Sequence, residues 1–160
     1  MTSISTDRLH APHVVGLCTA LLLLVGPPGL TRGGEKAAQQ EMKKLQGTWV
    51  VVGAERDGTP LDRIKGNKLI VRDNQFTIVT QSAELKGDLT LAPGKSPKAI
   101  DFQHQEGMLR DKKWEGIYKL EGDRLTLCYA EADSGKDRPG EFATQAGSSR
   151  LLIVVERKQP

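Results

Sequence analysis

The sequence predicts an all-β domain, an eight-stranded antiparallel up-and-down barrel preceded by one short N-terminal helix. Three observations carry this reading. A stretch of strong helix formers at 35–46 gives way after Gly47 to β-branched and alternating runs. Eight such runs follow one another at short intervals, each bounded by Gly, Asp, Asn or Pro. Within them apolar and polar residues alternate with period two, so each strand has one dry and one wet face.

The elements follow in chain order. In EKAAQQEMKKLQ, Ala38, Met42 and Leu45 share one helical face. The first strand is expected at 48–56 and ends on Asp57-Gly58; a loop at 59–66 leads to a second at 68–72 and a turn at Asp73-Asn74. Strands at 75–80, 84–91 and 98–103 follow, with Pro93-Gly94 and Pro97 between the last two. Strands at 114–120 and 124–130 flank Glu121-Gly122-Asp123, a tight hairpin, and 150–157 closes the chain. Alternation is clearest at 84–91, where Leu85, Gly87, Leu89 and Leu91 face one way and Glu84, Lys86, Asp88 and Thr90 the other. Trp114, Gly116, Tyr118 and Leu120, and likewise Leu125, Leu127 and Tyr129, fall on one face each, and a shared interior receives them. Eight sequential strands close most simply as a barrel whose interior fills with side chains or holds one small ligand. A two-sheet sandwich is the competing architecture.

Residues 1–34 read as a signal peptide and spacer, with a single barrel domain at 35–160. The run VVGLCTALLLLV at 14–25 is preceded by Arg8 and followed by Gly26, Pro27 and Pro28. At about a dozen residues it is shorter than the ~20 a spanning helix needs. Cleavage and no stable membrane span are expected, which places the mature chain outside the cytoplasm, periplasmic or secreted. Cys18 leaves with the leader, so Cys128 remains as the sole cysteine and no internal disulfide forms. Its strand context makes it a small buried hydrophobe. The 23 Lys and Arg against 20 Asp and Glu are interspersed, which argues against a nucleic-acid surface.

Gly47-Thr48-Trp49 opens the first strand directly after the helix. This resembles the Gly-x-Trp signature of lipocalin-like barrels, which implies that Trp49 closes one barrel end while Arg157 or Arg150 of the last strand packs across the indole. More of the chain, from about Leu45 to Arg157, resembles an uncharacterised exported domain family abundant in planctomycete bacteria. The similar segments are Leu45-Gln46-Gly47-Thr48-Trp49, Glu55-Arg56-Asp57-Gly58, Pro97-Lys98-Ala99-Ile100-Asp101, Gly116-Ile117-Tyr118 through Gly122-Asp123 to Leu127-Cys128-Tyr129-Ala130, and Arg138-Pro139-Gly140-Glu141-Phe142. The resemblance implies export and a lipocalin-like domain, and brings no activity, ligand or catalytic residue with it.

A ligand inside the barrel would meet Trp49, Phe76, Leu89, Phe102, Tyr118 and Tyr129. Arg138 and Glu141, in the long connection before the last strand, are placed to contact a polar head group at the mouth; alternatively they pair and pin that loop. Gly53, Gly87 and Gly116 lack side chains and leave room inside, or else mark a bulge or strong twist. Gly47, Trp49 and Arg157 form the structural closure. No metal site, cofactor or catalytic set is expected. Glu131, Asp133, Asp137 and Glu141 lack calcium-loop spacing, Gly94-Lys95-Ser96 lacks the rest of a phosphate loop, and Ser148 and Ser149 lack a nucleophile elbow. His104, the only histidine outside the leader, is expected at the surface.

Two functions therefore compete. The first is an extracytoplasmic binding module for a small apolar or amphipathic ligand. The second is a structural or interaction domain with an envelope protein as partner, met through an apolar outer face of Val50, Val52, Leu152 and Val154.

Overall fold

The computed structural model describes residues 32–158. The segment expected to be a signal peptide lies outside the described residues, and among them no helix is long and apolar enough to cross a membrane. One helix, α1 (Arg32–Leu45), precedes nine strands: β1 (Gly47–Arg56), β2 (Thr59–Pro60), β3 (Lys68–Arg72), β4 (Gln75–Val79), β5 (Glu84–Ala92), β6 (Ala99–His104), β7 (Lys113–Glu121), β8 (Arg124–Ala130) and β9 (Arg150–Arg157).

β1 and β3 to β9 pair antiparallel in sequential order, and β1 pairs β9 to close the barrel. β2 is a two-residue extension folded back on β1, and its turn residues Asp57 and Gly58 both take positive φ, as a two-residue hairpin of matching twist requires. Gly53 sits where the β1–β9 register slips past Val52; it marks a bulge.

Inward positions follow the pairing. Val71, Phe76, Gly87 and His104 lie side by side across β3 to β6, and Leu89, Phe102 and Trp114 across β5 to β7. Together with Trp49, Val51, Leu91, Ile100, Tyr118, Leu125, Leu127, Tyr129 and Val155 most of them form one buried cluster, each large side chain contributing about 1.5–3 kcal/mol of burial. Gly87 and Gly116 leave no empty space. A Cβ at Gly87 would collide with the Gln103 carbonyl and Phe76, and one at Gly116 would lie 2.8 Å from the Cys128 carbonyl and Tyr129 Cβ. They permit close backbone approach instead.

α1 caps one end of the barrel. Its Ala, Gln, Lys and Glu residues favour helix, with Glu35 in the first turn and Lys43 and Lys44 in the last matching the helix dipole. Met42 and Leu45 pack on the core from that end. The helix starts three residues earlier than the composition indicates, through Gly33 and Gly34.

A second buried layer lies outside the wall. Ala99, Ile117, Cys128 and Ala130 are buried, although Ile117 and Cys128 alternate with inward-facing neighbours. The long connection at 131–149 covers them, with Pro139 fully buried and Cys128 Sγ 3.8 Å from the Ala143 carbonyl. The connection is tied at its far end to the β1–β2 turn: Gly58 N–H donates to Thr144 Oγ1 (2.9 Å) and Ser148 Oγ donates to Asp57 (3.1 Å).

Candidate functional site

The two barrel ends are built differently. At the helix-capped end, Trp49 is fully buried and its indole N–H donates to the Leu45 carbonyl (2.8 Å). The Arg157 guanidinium stacks on the indole, 4.1 Å from the ring centre. Its Nη1 and Nη2 donate to the Gln46 and Lys44 carbonyls, and its Nε to Asp123. Carbonyls at a helix C-terminus have no partner within the helix, so Arg157 and Trp49 satisfy α1 while closing the barrel beneath it. Gly47, at φ 116°, brings the chain from the helix into β1.

Glu41 fastens the same end. It accepts from Lys44 (2.8 Å), Lys98 (2.9 Å) and the Tyr118 hydroxyl (3.2 Å). Burial pushes its carboxyl up, but the hydrogen bonds from the two lysines outweigh that and hold it below the ordinary carboxylate value. Burial and the Glu41 charge both push the Tyr118 phenol well above its usual range. Every member of this cluster has a partner, so it acts as a clamp between helix and barrel.

The opposite end is open. An apolar cavity of about 160 Å³ enters the barrel there. Val51, Leu69, Leu127, Ile153 and Val155 make its floor, and Phe102, Trp114 and Tyr129 one wall. Ile64, Ile78 and Leu85 also line it and are less buried than the floor, with Asn67, Lys68 and Thr80 as its polar points. Ile64 reaches it from a one-turn 3-10 helix, Asp62–Ile64. Trp114 and Tyr129 stack nearly parallel, their centres 5.0 Å apart. Trp114 is half-buried, and no hydrogen bond among the described residues holds its indole N–H.

Of the residues the sequence singled out for the interior, Phe102 and Tyr129 line this cavity. Trp49, Phe76, Leu89 and Tyr118 are buried but lie deeper or nearer the capped end, among other side chains. Arg138 and Glu141 are not at the mouth. Arg138 lies against the outer wall, where Nη1 pairs with Asp101 (2.6 Å) and donates to the Gly116 carbonyl (2.6 Å). Burial raises the Asp101 carboxyl, but hydrogen bonds from Arg138 and Lys113 bring it below its ordinary value. Glu141 is exposed and has no part in that pair. The loop is pinned through Asp101 because it lies on the apolar outer patch, which carries it away from the opening.

His104 is a correction. It is fully buried rather than exposed, because β6 runs one residue further than expected and position 104 shares the inward parity of Ile100 and Phe102. Its ring packs against Phe76 (5.2 Å, edge-on) and Trp114 (4.2 Å, edge-on). Neither ring nitrogen has a hydrogen-bond partner. Burial pushes the imidazole below its ordinary value of 6.5, so it is neutral at pH 7. Its single-residue overrun of the strand was the only sequence signal available. Among the described residues no group of His, Cys, Asp or Glu is arranged to hold a metal ion.

No family model, curated protein or solved structure matches this chain significantly, so the geometry of the site is what bears on function.

Proposed function

We propose that this protein is an extracytoplasmic binding module that holds a small apolar molecule in the open end of its barrel. The apolar cavity of about 160 Å³ carries the reading. A dry cavity of roughly 150 Å³ lined by aliphatic and aromatic side chains is sufficient to bind benzene. The volume sets the ligand's size: one ring or a short branched chain fits, whereas drug-sized ligands occupy pockets of about 300 Å³ or more. Export through the segment at 14–25, and kinship with the planctomycete-type exported family, belong to the same proposal. They rest on the sequence patterns above.

The test is toluene titration of the purified protein with methyl groups observed by NMR. Saturable shifts at Val51, Leu69, Leu127 and Ile153, with Val71 at the packed end unmoved, are the expected result. Their absence up to the solubility limit of toluene would sink the reading.

One observation favours a second function. Val52 is 40% exposed on the outer wall, and Val50, Leu152 and Val154 beside it are only half-buried. That stripe suits an envelope-protein partner. Capture from an envelope extract by the wild-type protein but not by Val52→Asp would support it.

A further inference from the structure

We propose that the ligand carries one neutral hydroxyl, and that this group hydrogen-bonds His104 after the Trp114 ring swings toward solvent. The inference rests on the binding reading above and narrows it to phenol-like or alcohol-like molecules.

Three features of the open end support it. His104 is a fully buried polar side chain with both nitrogens unpartnered, an arrangement that destabilises the fold and that buried polar groups rarely show. Trp114 touches both His104 and the cavity: the same indole lines that space and meets the imidazole edge-on at 4.2 Å. Trp114 is also the one aromatic of the group Phe76, Phe102, Trp114 and Tyr129 that is not buried. No hydrogen bond among the described residues tethers its N–H, and its ring is held by contacts with Tyr129, His104 and Phe102, so rotating it outward breaks aromatic contacts but no hydrogen bond and joins His104 to the cavity.

The chemistry of the box selects the head group. A neutral imidazole offers one donor and one acceptor, and a hydroxyl can serve either nitrogen. A carboxylate at His104 would meet Phe76 and Trp114, the aromatic neighbours of the ring, and no cation, whereas Lys68, the cation that lines the cavity, is an exposed residue of β3; burying an unpaired charge is far more costly than burying a hydroxyl. Of the lysines on the elements beside His104, Lys86 pairs with Glu84 and Lys112 with Asp133. A ring bearing a hydroxyl also fits the cavity's volume, its body against Leu127 and Ile153.

Phenol and toluene differ only in the group at issue, which makes them suitable probes. Their affinities for the full chain are to be measured by calorimetry, for wild type and His104→Phe. The phenol-to-toluene affinity ratio is expected to fall at least about fivefold in the variant, the equivalent of one net hydrogen bond, while toluene still binds. An unchanged ratio would overturn the proposal and leave the apolar-ligand reading standing, with solvent as the imidazole's partner. Failure of both probes to bind wild type would overturn both. Should His104→Phe not fold, ¹⁵N signals of the His104 ring in wild type decide the matter: they must shift with phenol and stay fixed with toluene, and any other pattern refutes the inference.

Discussion

The capped and open ends of the barrel share strands, yet they treat polar groups in opposite ways. At the capped end Glu41 accepts from three donors and Arg157 donates to three acceptors. Trp49, wedged between helix and strand, has its one N–H satisfied. At the open end His104 has no partner, Trp114 has an idle N–H, and an apolar space remains unfilled. The difference divides labour along one barrel: the capped end supplies the stability that lets the open end stay incompletely packed. Cavities and orphaned polar groups both destabilise, and with no disulfide among the described residues packing must offset them.

That division predicts the largest effect at Trp49. Trp49→Ala deletes a fully buried indole, strips the Leu45 carbonyl of its donor and leaves Arg157 without its aromatic face. A loss of about 3–5 kcal/mol in urea unfolding is expected. A loss below about 1 kcal/mol would show that the helix-capped end is not the keystone.

The ends should also respond to acid in different windows. Glu41 titrates below its ordinary value of 4.5 in the fold, so its stabilising contribution is complete above that value and disappears as pH falls through the folded one. His104 is also depressed, from 6.5. As pH falls past 6.5 the unfolded chain takes up a proton that the folded chain refuses, so stability declines from there until the folded value is reached. Stability measured from pH 8 to 3 should therefore fall in two stages. His104→Phe should flatten the upper stage and Glu41→Gln should reduce the lower one, to which the depressed Asp101 carboxyl also contributes; a profile that keeps its upper stage in His104→Phe assigns it to another group.

Much of the fold was legible because the signals were local. The strands at 48–56, 84–91 and 124–130 announce themselves by period-two alternation and by Asp-Gly, Pro-Gly and Gly-Asp at their ends, and β1, β5 and β8 lie within a residue of those limits. The site was less legible because it depends on how side chains from distant strands fill a volume. By sequence Gly87 and Gly116 either leave room or mark a bulge or twist, and in the fold they admit neighbouring backbone. Arg138 by sequence is either a mouth contact or a loop pin with Glu141; in the fold it pins the loop, but through Asp101, because the loop is drawn outward over Ile117 and Cys128, whose burial on the outer wall no alternation pattern reveals. His104 turned on a single residue of strand length, since at period two one extra position decides whether a side chain faces water or the core.

The smallest effect on stability should come from filling the cavity, and it is the sharpest probe of the open end. Ile78 is half-buried and lines the cavity near the surface, so a larger side chain there has space to turn inward without displacing the floor. Ile78→Phe should shift stability by less than about 1.5 kcal/mol, within the range of tolerated hydrophobic exchanges, because added contact in the void balances the new strain. Toluene affinity should nevertheless drop at least tenfold, the ring occupying the ligand's place. If stability fell by several kcal/mol instead, the open end would be packed as tightly as the capped one. Unchanged toluene binding with unchanged stability would place the ligand elsewhere, most plainly in the groove where Met42 of α1 faces Leu89 and Leu91 of β5.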